Sequence, residues 1–314
     1  MSPEETELRK IAKFVNKMAE TGLGTDYCLE EGCLPLKVHF YSPVPDIKEL
    51  DRRQVWTKLS PLRGLRMKPE AQIKIMTEMT QRFSSECVWP LKATKNPHDF
   101  HVENSCFSFQ CASLLHYMIR YYQPKRIIEA GSGFSSRVIN AAVARNAAEG
   151  HPCHYRIIDP YPSSVTKSLP NLTDIKVCKI EETSEELFRE LESGDILFVD
   201  SGHVAKIGSD VNFLILDILP LLKPGVVIHF HDIPMPAEYN RVYYTNPTFR
   251  VLWTESYLLQ AFLACNDEFE ILCAGAYLAN HHPKEWDSFF PADPKINGTG
   301  SLWMRRVSDR SSAG

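Results

Sequence analysis

The sequence lacks an excess of positive charge. Its 314 residues contain 35 Lys and Arg against 39 Asp and Glu, which gives a formal net charge of −4. Proteins that bind nucleic acid neutralise phosphates with clustered basic side chains, so their binding domains carry a basic surplus. We therefore expect no nucleic-acid partner.

Long hydrophobic runs are also missing. The longest apolar stretches, Leu214 to Leu222 and Val226 to Phe230, are far shorter than the roughly 20 residues that span a bilayer. The first residues, Met-Ser-Pro-Glu-Glu-Thr-Glu, have neither the basic flank nor the apolar run of a secretory signal. We expect a soluble, cytoplasmic protein with no membrane partner.

The close cysteine pairs of a zinc site are absent as well. The chain has nine cysteines, an odd number, spread from Cys28 to Cys273. Cys28 with Cys33 and Cys106 with Cys111 could pair or bind metal, but neither shows the tight spacing of a zinc site. We interpret the cysteines as reduced thiols that act as small hydrophobic side chains in the cytosol.

Alternating strands and helices dominate the sequence from residue 104 onward. Single helical segments separate the apolar strand-like segments, which predicts a doubly wound, mostly parallel, Rossmann-like α/β sheet with helices on both faces. Strands are expected at Arg126 to Ala130, Tyr155 to Ile158, Ile175 to Cys178, Asp195 to Val199, Val226 to Phe230, Phe269 to Ala274 and Ser301 to Arg305.

Three segments are predicted along the chain: an N-terminal extension at 1–103, the main domain at 104–307 and a polar tail at 308–314. In the extension, apolar residues recur at helical spacing over 4–19, which predicts a docked amphipathic helix. Prolines predict extended chain over 34–62, and a second helix is expected at Pro69 to Phe83. We expect the extension to cover the substrate or to form a dimer contact.

Polar side chains follow the predicted strands. In an open parallel sheet, ligands bind at the carboxyl ends of the strands, so these residues are candidates for a binding site. They are Glu129, Gly131, Ser132 and Gly133 after the first strand, Asp159 after the second, Glu181 and Glu182 after the third, Asp200 after the fourth, and His231 with Asp232 after the fifth.

The first of these turns reads Gly131-Ser132-Gly133-Phe134-Ser135. It lacks the third glycine of the dinucleotide fingerprint, and Glu129 would repel a phosphate group. A carboxylate suits an amino group instead, and Asp159 suits ribose hydroxyls. The turn therefore favours a nucleoside cofactor without a pyrophosphate, such as S-adenosylmethionine.

Four segments in order resemble class I S-adenosylmethionine-dependent methyltransferases, in particular small-molecule and macrolide-sugar O-methyltransferases. They are Pro124 to Ser136, Asp159 to Pro162, Phe198 to His203 and His229 to Ile233. The resemblance implies cofactor-binding roles for Glu129, Gly131, Ser132, Gly133 and Asp159, places Glu181 or Glu182 near the adenine, and puts Asp200 next to the methyl group.

The resemblance also implies a metal and a base. In metal-dependent members an aspartate after the fourth strand and an acidic pair after the fifth bind Mg²⁺, and a histidine three residues past the first aspartate removes the hydroxyl proton. Asp200, Asp232 and His203 fit these places, whereas His231 replaces one acidic residue. We expect His203, Asp200 and His231 to be catalytic, and Asp200, His231 and Asp232 to bind Mg²⁺ or another divalent ion.

Structural roles remain open for several of these residues. Glu129 could cap the turn that follows it, Asp159 could form a turn before Pro160, and Glu181 or Glu182 could be a solvated charge at a helix start. Each alternative assigns the residue to local structure and leaves no ligand contact.

Two other functions compete with methyl transfer to a small hydroxylated acceptor. His229, His231 and an aspartate are the ingredients of a two-histidine, one-carboxylate iron site, which would make the chain a metal-dependent oxygenase or hydrolase. We expect His229 and His231 to point to opposite faces of the sheet, which weakens that interpretation. The third is a non-catalytic module that keeps the fold and the cofactor.

Overall fold

The computed structural model describes residues 2–294 and 298–307. The chain divides into two units, one made of Met1–Lys58 with Tyr239–Leu252 and the other of Leu59–Glu238 with Trp253–Gly314. The expected polar tail at 308–314 lies outside the described residues.

A seven-stranded sheet runs through the larger unit in the order β3-β2-β1-β4-β5-β7-β6 among the described residues. The first five strands pair in parallel, and β7 pairs antiparallel with both β5 and β6. The strands are β1 (Arg126–Ala130), β2 (His154–Ile158), β3 (Asp174–Lys176), β4 (Ile196–Val199), β5 (Val227–Phe230), β6 (Phe269–Ala274) and β7 (Leu302–Arg306). The expected mostly parallel sheet is confirmed.

Fourteen α-helical segments occur in the described residues. They are α1 (Pro3–Thr21), α2 (Thr25–Glu30), α3 (Ile47–Arg52), α4 (Pro69–Phe83), α5 (Phe109–Tyr122), α6 (Phe134–Ala148), α7 (Ser164–Lys167), α8 (Glu186–Arg189), α9 (Asp210–Asn212), α10 (Leu219–Leu221), α11 (Val242–Thr245), α12 (Glu255–Leu263), α13 (Gly275–His281) and α14 (Pro283–Ser288). A π-helical stretch, Phe213–Ile218, joins α9 to α10.

Each face of the sheet packs into a hydrophobic cluster of its own. Ile127 of β1 packs in the cluster that includes α5 and α6, whereas its neighbours Ile128 and Ala130 pack in the opposite cluster. Successive strand residues point to opposite faces, so a strand buried on both sides is apolar at every position. The sequence Ile-Leu-Phe-Val of β4, which is buried throughout, illustrates this.

The helix at Pro69 to Phe83 is confirmed by α4, which packs within the larger unit. Met76 and Met79 are fully buried there, and the side-chain oxygen of Gln72 accepts a hydrogen bond of 2.8 Å from the Ala274 backbone N–H. The larger unit begins at Leu59, so it includes the second part of the segment that the sequence assigns to the extension.

The smaller unit contains α1, α2, α3 and α11. The expected N-terminal helix forms, but none of the residues of α1 is buried, so the structure does not show the docking expected of it. The expected extended segment 34–62 is interrupted by α3, because the Asp46 side chain caps the helix by accepting from the Lys48 and Glu49 backbone N–H groups.

No helix in the described part of the chain is both long enough and apolar enough to cross a membrane.

Candidate functional site

The site lies where the strand order reverses, between the carboxyl ends of β1 and β4. From β1 the chain continues outward through β2 and β3, and it then returns to place β4 on the other side of β1. The loops that follow β1 and β4 diverge from this point, which leaves a crevice outside the sheet. The predicted location of the site agrees with this geometry.

Gly131 makes the closest approach at the reversal point. Its φ of +81° lies in the left-handed region, and a Cβ at this position would stand 1.9 Å from the carbonyl oxygen of Asp200. The left-handed φ and the close contact each exclude a residue with a Cβ, so only glycine fits at this position. The backbone N–H of Asp200 donates to Ala130 at 2.9 Å, so the turn after β1 and the end of β4 fit directly against each other.

Ser132 and Asp159 connect the turn after β1 with the end of β2. The Ser132 hydroxyl donates a hydrogen bond to one oxygen of Asp159, and the Tyr161 backbone N–H donates to the other at 2.6 Å. The Tyr161 contact is the turn-forming bond considered as the structural alternative for Asp159. Asp159 still borders a cavity, so the turn does not exclude ligand contact.

A cavity of about 370 Å³, here called the strand-end cavity, opens at these residues. Its walls combine a backbone turn, carboxylates and two small loops. It is lined by Gly131, Ser132, Ile158, Asp159, Pro160, Lys179, Ile180, Glu181, Asp200, Ser201, Gly202 and Asp210. Five of the predicted cofactor residues therefore meet around one space, namely Gly131, Ser132, Asp159, Glu181 and Asp200.

A second cavity of about 350 Å³ lies beside it and shares Ser132 and Asp200 with it. We call it the neighbouring cavity. Gly133 lines it together with Phe107 and Arg137. Glu182 lines neither cavity and borders a separate surface pocket near Cys178, so the structure separates the two glutamates that the sequence leaves as alternatives.

Glu129 lies behind the site and lines neither of the two cavities. It is fully buried, and its oxygens accept hydrogen bonds from Ser135 at 2.7 Å, Ser136 at 3.0 Å and the Tyr155 hydroxyl. Burial raises the pKa of Glu129 to about 8, although these three hydroxyls lower it. The geometry favours the alternative role, in which Glu129 fixes the first turn of α6.

Asp200, His203 and Asp232 form a compact cluster. One ligand atom from each lies within 4.8 Å of the other two. His203 Nε2 is 3.3 Å from an Asp200 oxygen and 3.8 Å from an Asp232 oxygen. Oxygen and imidazole donors at these distances suit a divalent ion, so the donor set fits a metal in its chemistry.

Glu255 holds the other side of the His203 ring. The Glu255 carboxylate is buried and lies 2.8 Å from His203 Nδ1, and the backbone N–H groups of Thr254 and Glu255 donate to the His203 carbonyl at 2.9 and 3.1 Å. Burial lowers the pKa of His203, but the hydrogen bonds and charges of Asp200 and Glu255 outweigh it and raise that pKa well above its usual value. Nε2 is therefore directed at the two aspartates.

Asp200 stays ionised in this arrangement. Burial acts to raise its pKa, but the electrostatic interaction with His231 and the hydrogen bond and charge of His203 lower it to about 2. A carboxylate and an imidazole thus stabilise each other's charged form at the edge of the strand-end cavity.

His231 lies next to the cluster without being part of it. Its Nε2 is 3.6 Å from an Asp232 oxygen, its ring centroid is 4.7 Å from that of Phe107, and its Nδ1 has no hydrogen-bond partner among the described residues. The structure therefore groups His203, and not His231, with the two aspartates. The metal set Asp200, His231 and Asp232 stays a prediction.

The expectation that His229 and His231 point to opposite faces is wrong. Residues two apart in a strand share a face, and the two ring centroids are 5.7 Å apart. His229 is fully buried, stacks on Phe198 at 4.1 Å, and bonds Ser301 at 3.2 Å. Because the His229 ring is buried and stacked on Phe198, it is not part of the cluster of Asp200, His203 and Asp232.

Sequence reasoning missed Glu255. It is separated from His203 by 52 positions, so no local spacing connects the two residues. The available signal is an acidic residue at the first position of the apolar helix α12, and that pattern is also typical of an exposed helix start.

Comparisons with known proteins agree with the predicted class. Residues 128–233 match a family model described as a methyltransferase domain, which runs from within β1 to just past β5. An uncharacterized protein of Archaeoglobus fulgidus is 30% identical over 132 residues, covering 40% of this chain. The chain spans 58% of the length of that relative.

Several solved structures are similar to parts of the chain. The apo structure of CmcI-N160 is 20% identical and covers 63% of this chain and 71% of that chain, with a TM-score of 0.37. An O-methyltransferase from Bacillus cereus in complex with SAH is 12% identical, covering 75% and 91%, with a TM-score of 0.34. The MycE methyltransferase of the mycinamycin biosynthetic pathway, with Mg, SAH and mycinamycin VI, is 13% identical, covering 75% and 54%, with a TM-score of 0.36.

The expected resemblance to methyltransferases agrees with the family match over residues 128–233. The family match covers the turn after β1 and the ends of β2, β4 and β5, which are the segments that line the strand-end cavity or hold the aspartate cluster. Residues 128–233 are thus similar to a methyltransferase domain, and the sheet that contains them is Rossmann-like.

Replacing Glu129 with Gln tests the buried carboxyl group. The folded pKa of about 8 lies above the ordinary value of 4.5, so the folded state retains a proton that the unfolded state loses. Wild type should therefore lose stability as the pH rises from 4.5 to 8, by about 1.4 kcal/mol per pH unit at most. Glu129→Gln has no carboxyl group to titrate at this position. The free energy of unfolding of the variant, relative to that of wild type, should therefore increase as the pH rises across this window.

Denaturant unfolding of both proteins at about pH 5 and about pH 9 measures this difference. Glu103→Gln, which removes an exposed carboxyl, is the matched control and should show no such trend. A constant difference between Glu129→Gln and wild type at both pH values would mean that Glu129 is ionised throughout.

Proposed function

We propose that the chain transfers a methyl group from S-adenosylmethionine to a hydroxyl of a small molecule, such as a sugar or a natural product. The observation that carries the proposal is the cluster of Asp200, His203 and Asp232 at the edge of the strand-end cavity, because Asp200 belongs to both. A cofactor site and a proton acceptor are thereby in contact.

The lining of the strand-end cavity suits the cofactor. Asp159 and Glu181 offer carboxylate oxygens to hydroxyl and amino groups, and the turn at Gly131 and Ser132 allows close approach of a ligand to backbone. Gly133 borders the neighbouring cavity. In this proposal Glu129 acts by fixing Ser135 and Ser136 at the start of α6, and Glu182 has no contact with the cofactor.

When bound, S-adenosylmethionine supplies an electrophilic methyl group on its sulfonium. The protein must hold the acceptor oxygen in line with that methyl carbon and remove the hydroxyl proton. His203 Nε2 takes the proton when the ring is neutral, a form that a divalent ion held by Asp200 and Asp232 would favour by offsetting the carboxylate charge that otherwise raises the pKa of His203. Glu255 fixes the ring through Nδ1. His203 is thus the general base.

The carboxylates of Asp200 and Asp232 would hold a divalent ion, either Mg²⁺ or another metal. Such an ion would polarise the acceptor oxygen and lower the pKa of its hydroxyl. Oxygen donors alone favour Mg²⁺, whereas an imidazole nitrogen in the same set favours Mn²⁺, Fe²⁺ or Zn²⁺. Because His203 Nε2 accepts the proton in this proposal, it does not bind the ion; a nitrogen from His231, which lies 3.6 Å from Asp232, would shift the preference away from Mg²⁺.

The burial of His229 argues against an oxygenase or hydrolase with a two-histidine site. Its ring stacks on Phe198 and its Nε2 faces Ser301, so it does not converge with the aspartates. A non-catalytic cofactor-binding module is the remaining alternative. The buried Glu255 argues against it, because burying a carboxylate only to orient a histidine serves no purpose in mere binding.

A cytoplasmic location and a homodimer complete the proposal. The odd number of scattered cysteines is typical of proteins that stay reduced. The smaller unit exposes large apolar side chains such as Leu8 and Ile11, which a second copy of the chain would cover.

Isothermal titration with S-adenosylmethionine tests the cofactor site. Wild type should bind it, and Asp159→Ala should bind roughly tenfold more weakly, because the loss of a carboxylate acceptor costs about 1–3 kcal/mol. Glu182→Ala, which changes a carboxylate outside both cavities, should bind like wild type. Absence of wild-type binding at millimolar cofactor would contradict the proposed function.

Titration with Mg²⁺ and with Mn²⁺ tests the metal set. Asp200→Asn and Asp232→Asn should each weaken binding strongly, because each removes a charged oxygen ligand. His231→Ala should leave the affinity within a few-fold of wild type, since His231 lies outside the cluster. If His231→Ala abolishes binding and His203→Ala does not, the set Asp200, His231 and Asp232 is the correct one.

Turnover tests the base. Release of S-adenosylhomocysteine is measured with a panel of sugars, phenols and polyketides as acceptors. His203→Ala should lower kcat by about 10²–10⁴-fold, and Glu255→Gln should lower it less, because Gln still contacts Nδ1 but does not stabilise the imidazolium. His281→Ala, an exposed histidine, should have no effect. Unchanged kcat in His203→Ala with a confirmed acceptor would overturn the assignment.

A further inference from the structure

The turn that ends α2 has the backbone geometry of a Schellman motif. Gly32 follows the helix in the left-handed region, with a φ of +73°. The backbone N–H of Gly32 donates to the Leu29 carbonyl at 3.0 Å, and that of Cys33 donates to the Cys28 carbonyl at 2.8 Å. These two hydrogen bonds define the motif, in which the residues at its two ends face each other across the turn.

Cysteines occupy the two facing positions of this turn. In many Schellman motifs these positions hold apolar side chains that contact each other. Here two thiols take their place. Burial raises the pKa of the Cys28 thiol, and the hydrogen bond and charge of Cys33 raise it further. Cys33 is exposed and Cys28 is partly exposed, so the two thiols are in contact with each other and accessible to a small reagent.

The turn meets both geometric conditions for a disulfide. The two Cα atoms must lie within about 7 Å of each other, and the side chains must point toward each other. The 2.8 Å hydrogen bond between the Cys33 and Cys28 backbones, together with about 4 Å of covalent geometry at its two ends, keeps the Cα atoms within that limit. The hydrogen bond between the thiols satisfies the second condition.

Cys106 and Cys111 have the same spacing in the sequence but different surroundings. Cys111 is buried in α5, and its sulfur lies 3.8 Å from the Thr299 hydroxyl. Cys106 is exposed, and its sulfur lies 3.6 Å from the Ser105 hydroxyl. The local fold, and not the spacing, therefore decides which pair of thiols meets.

We propose that Cys28 and Cys33 form a reversible disulfide, which makes the turn after α2 a site of oxidative modification. This inference goes beyond the proposed function and does not depend on it. The oxidant is a low-molecular-weight disulfide such as glutathione disulfide. Under reducing conditions the turn holds two thiols, as expected of a cytosolic chain.

The reaction is two successive thiol–disulfide exchanges. The thiolate of Cys33, the more exposed cysteine, attacks glutathione disulfide, forms a mixed disulfide and releases one glutathione thiolate. The Cys28 thiolate then attacks the Cys33 sulfur and releases the second. Two protein thiols are oxidised to one disulfide, one glutathione disulfide is reduced to two glutathione molecules, and the two thiol protons pass to these products.

The small size of the ring makes the bond a modification rather than a support for the fold. It closes only the six residues 28–33, and the entropy that a disulfide removes from the unfolded chain is smallest for short loops. Exposed disulfides are also the ones that thiol exchange opens readily. Excess reduced glutathione should therefore return the pair to thiols.

Peptide mapping of the full chain tests the bond. Trypsin cuts after Lys17 and Lys37, so Cys28 and Cys33 fall in one peptide, 18–37, and the control pair of Cys106 and Cys111 falls in another, 96–120. The native protein is equilibrated with glutathione disulfide, quenched and alkylated in denaturant, and digested without reductant. Peptide 18–37 should lose two hydrogens and escape alkylation, and peptide 96–120 should not lose them. Dithiothreitol should reverse the change.

The equilibrium constant for disulfide formation, measured in glutathione buffers, tests the contribution of the fold. For Cys28 and Cys33 the constant should be at least tenfold higher in the native protein than in concentrated urea, because the turn holds the thiols in contact and the unfolded chain only tethers them. For Cys106 and Cys111 the native protein should instead show the lower constant. The two pairs have equal spacing, so the difference between them reports the fold alone.

Three results would overturn the proposal. The first is a peptide 18–37 that remains fully alkylated, or that carries glutathione adducts without closing a ring. The second is an equilibrium constant for Cys28 and Cys33 that is no higher in the native protein than in urea. The third is a disulfide between chains, which a non-reducing gel separates from one within the chain. The variant Cys33→Ser should form only a glutathione adduct at Cys28, which confirms the assignment of the partner.

Discussion

The contact of the Gly131 turn against the Asp200 backbone is the constraint on which the site depends. It exists because β4 returns to the side of β1 that β2 does not occupy, which brings the ends of β1 and β4 together. No side chain fits between them at Gly131. Both cavities share Ser132 and Asp200 as a consequence, so the cofactor residues and the charged cluster are parts of one edge of the sheet.

Around that edge the protein balances buried charge in two different ways. Glu129 accepts hydrogen bonds from the Ser135 and Ser136 hydroxyls and thereby fixes the start of α6. Burial raises its pKa to about 8. Asp200 faces imidazoles and keeps a low pKa of about 2. His203 lies between two carboxylates, which direct one ring nitrogen toward the protein and the other toward the cavity. The surroundings of each group, rather than its residue type, thus decide its chemistry.

Much of this could be predicted from the sequence. The strands β1 and β6 and the helix α4 lie where the apolar patterns indicate, because strands buried on both faces and a helix with one buried face leave distinct periodicities. The short helices α13 and α14 follow β6 without a separating turn signal and were not predicted. Likewise, α3 interrupts a segment that the prolines predict as extended, since the cap at Asp46 outweighs their influence.

The sequence by itself determined the class of the domain and the strand ends that carry its polar residues. Local patterns of burial, turns and motifs depend on residues that are close together in the sequence. Only the tertiary structure decided which of those residues meet. It separated Glu181 from Glu182, withdrew Glu129 from the cavities, and placed His203 rather than His231 between the aspartates. It also brought in Glu255. Such groupings depend on where distant loops converge, and spacing along the chain does not encode that distance.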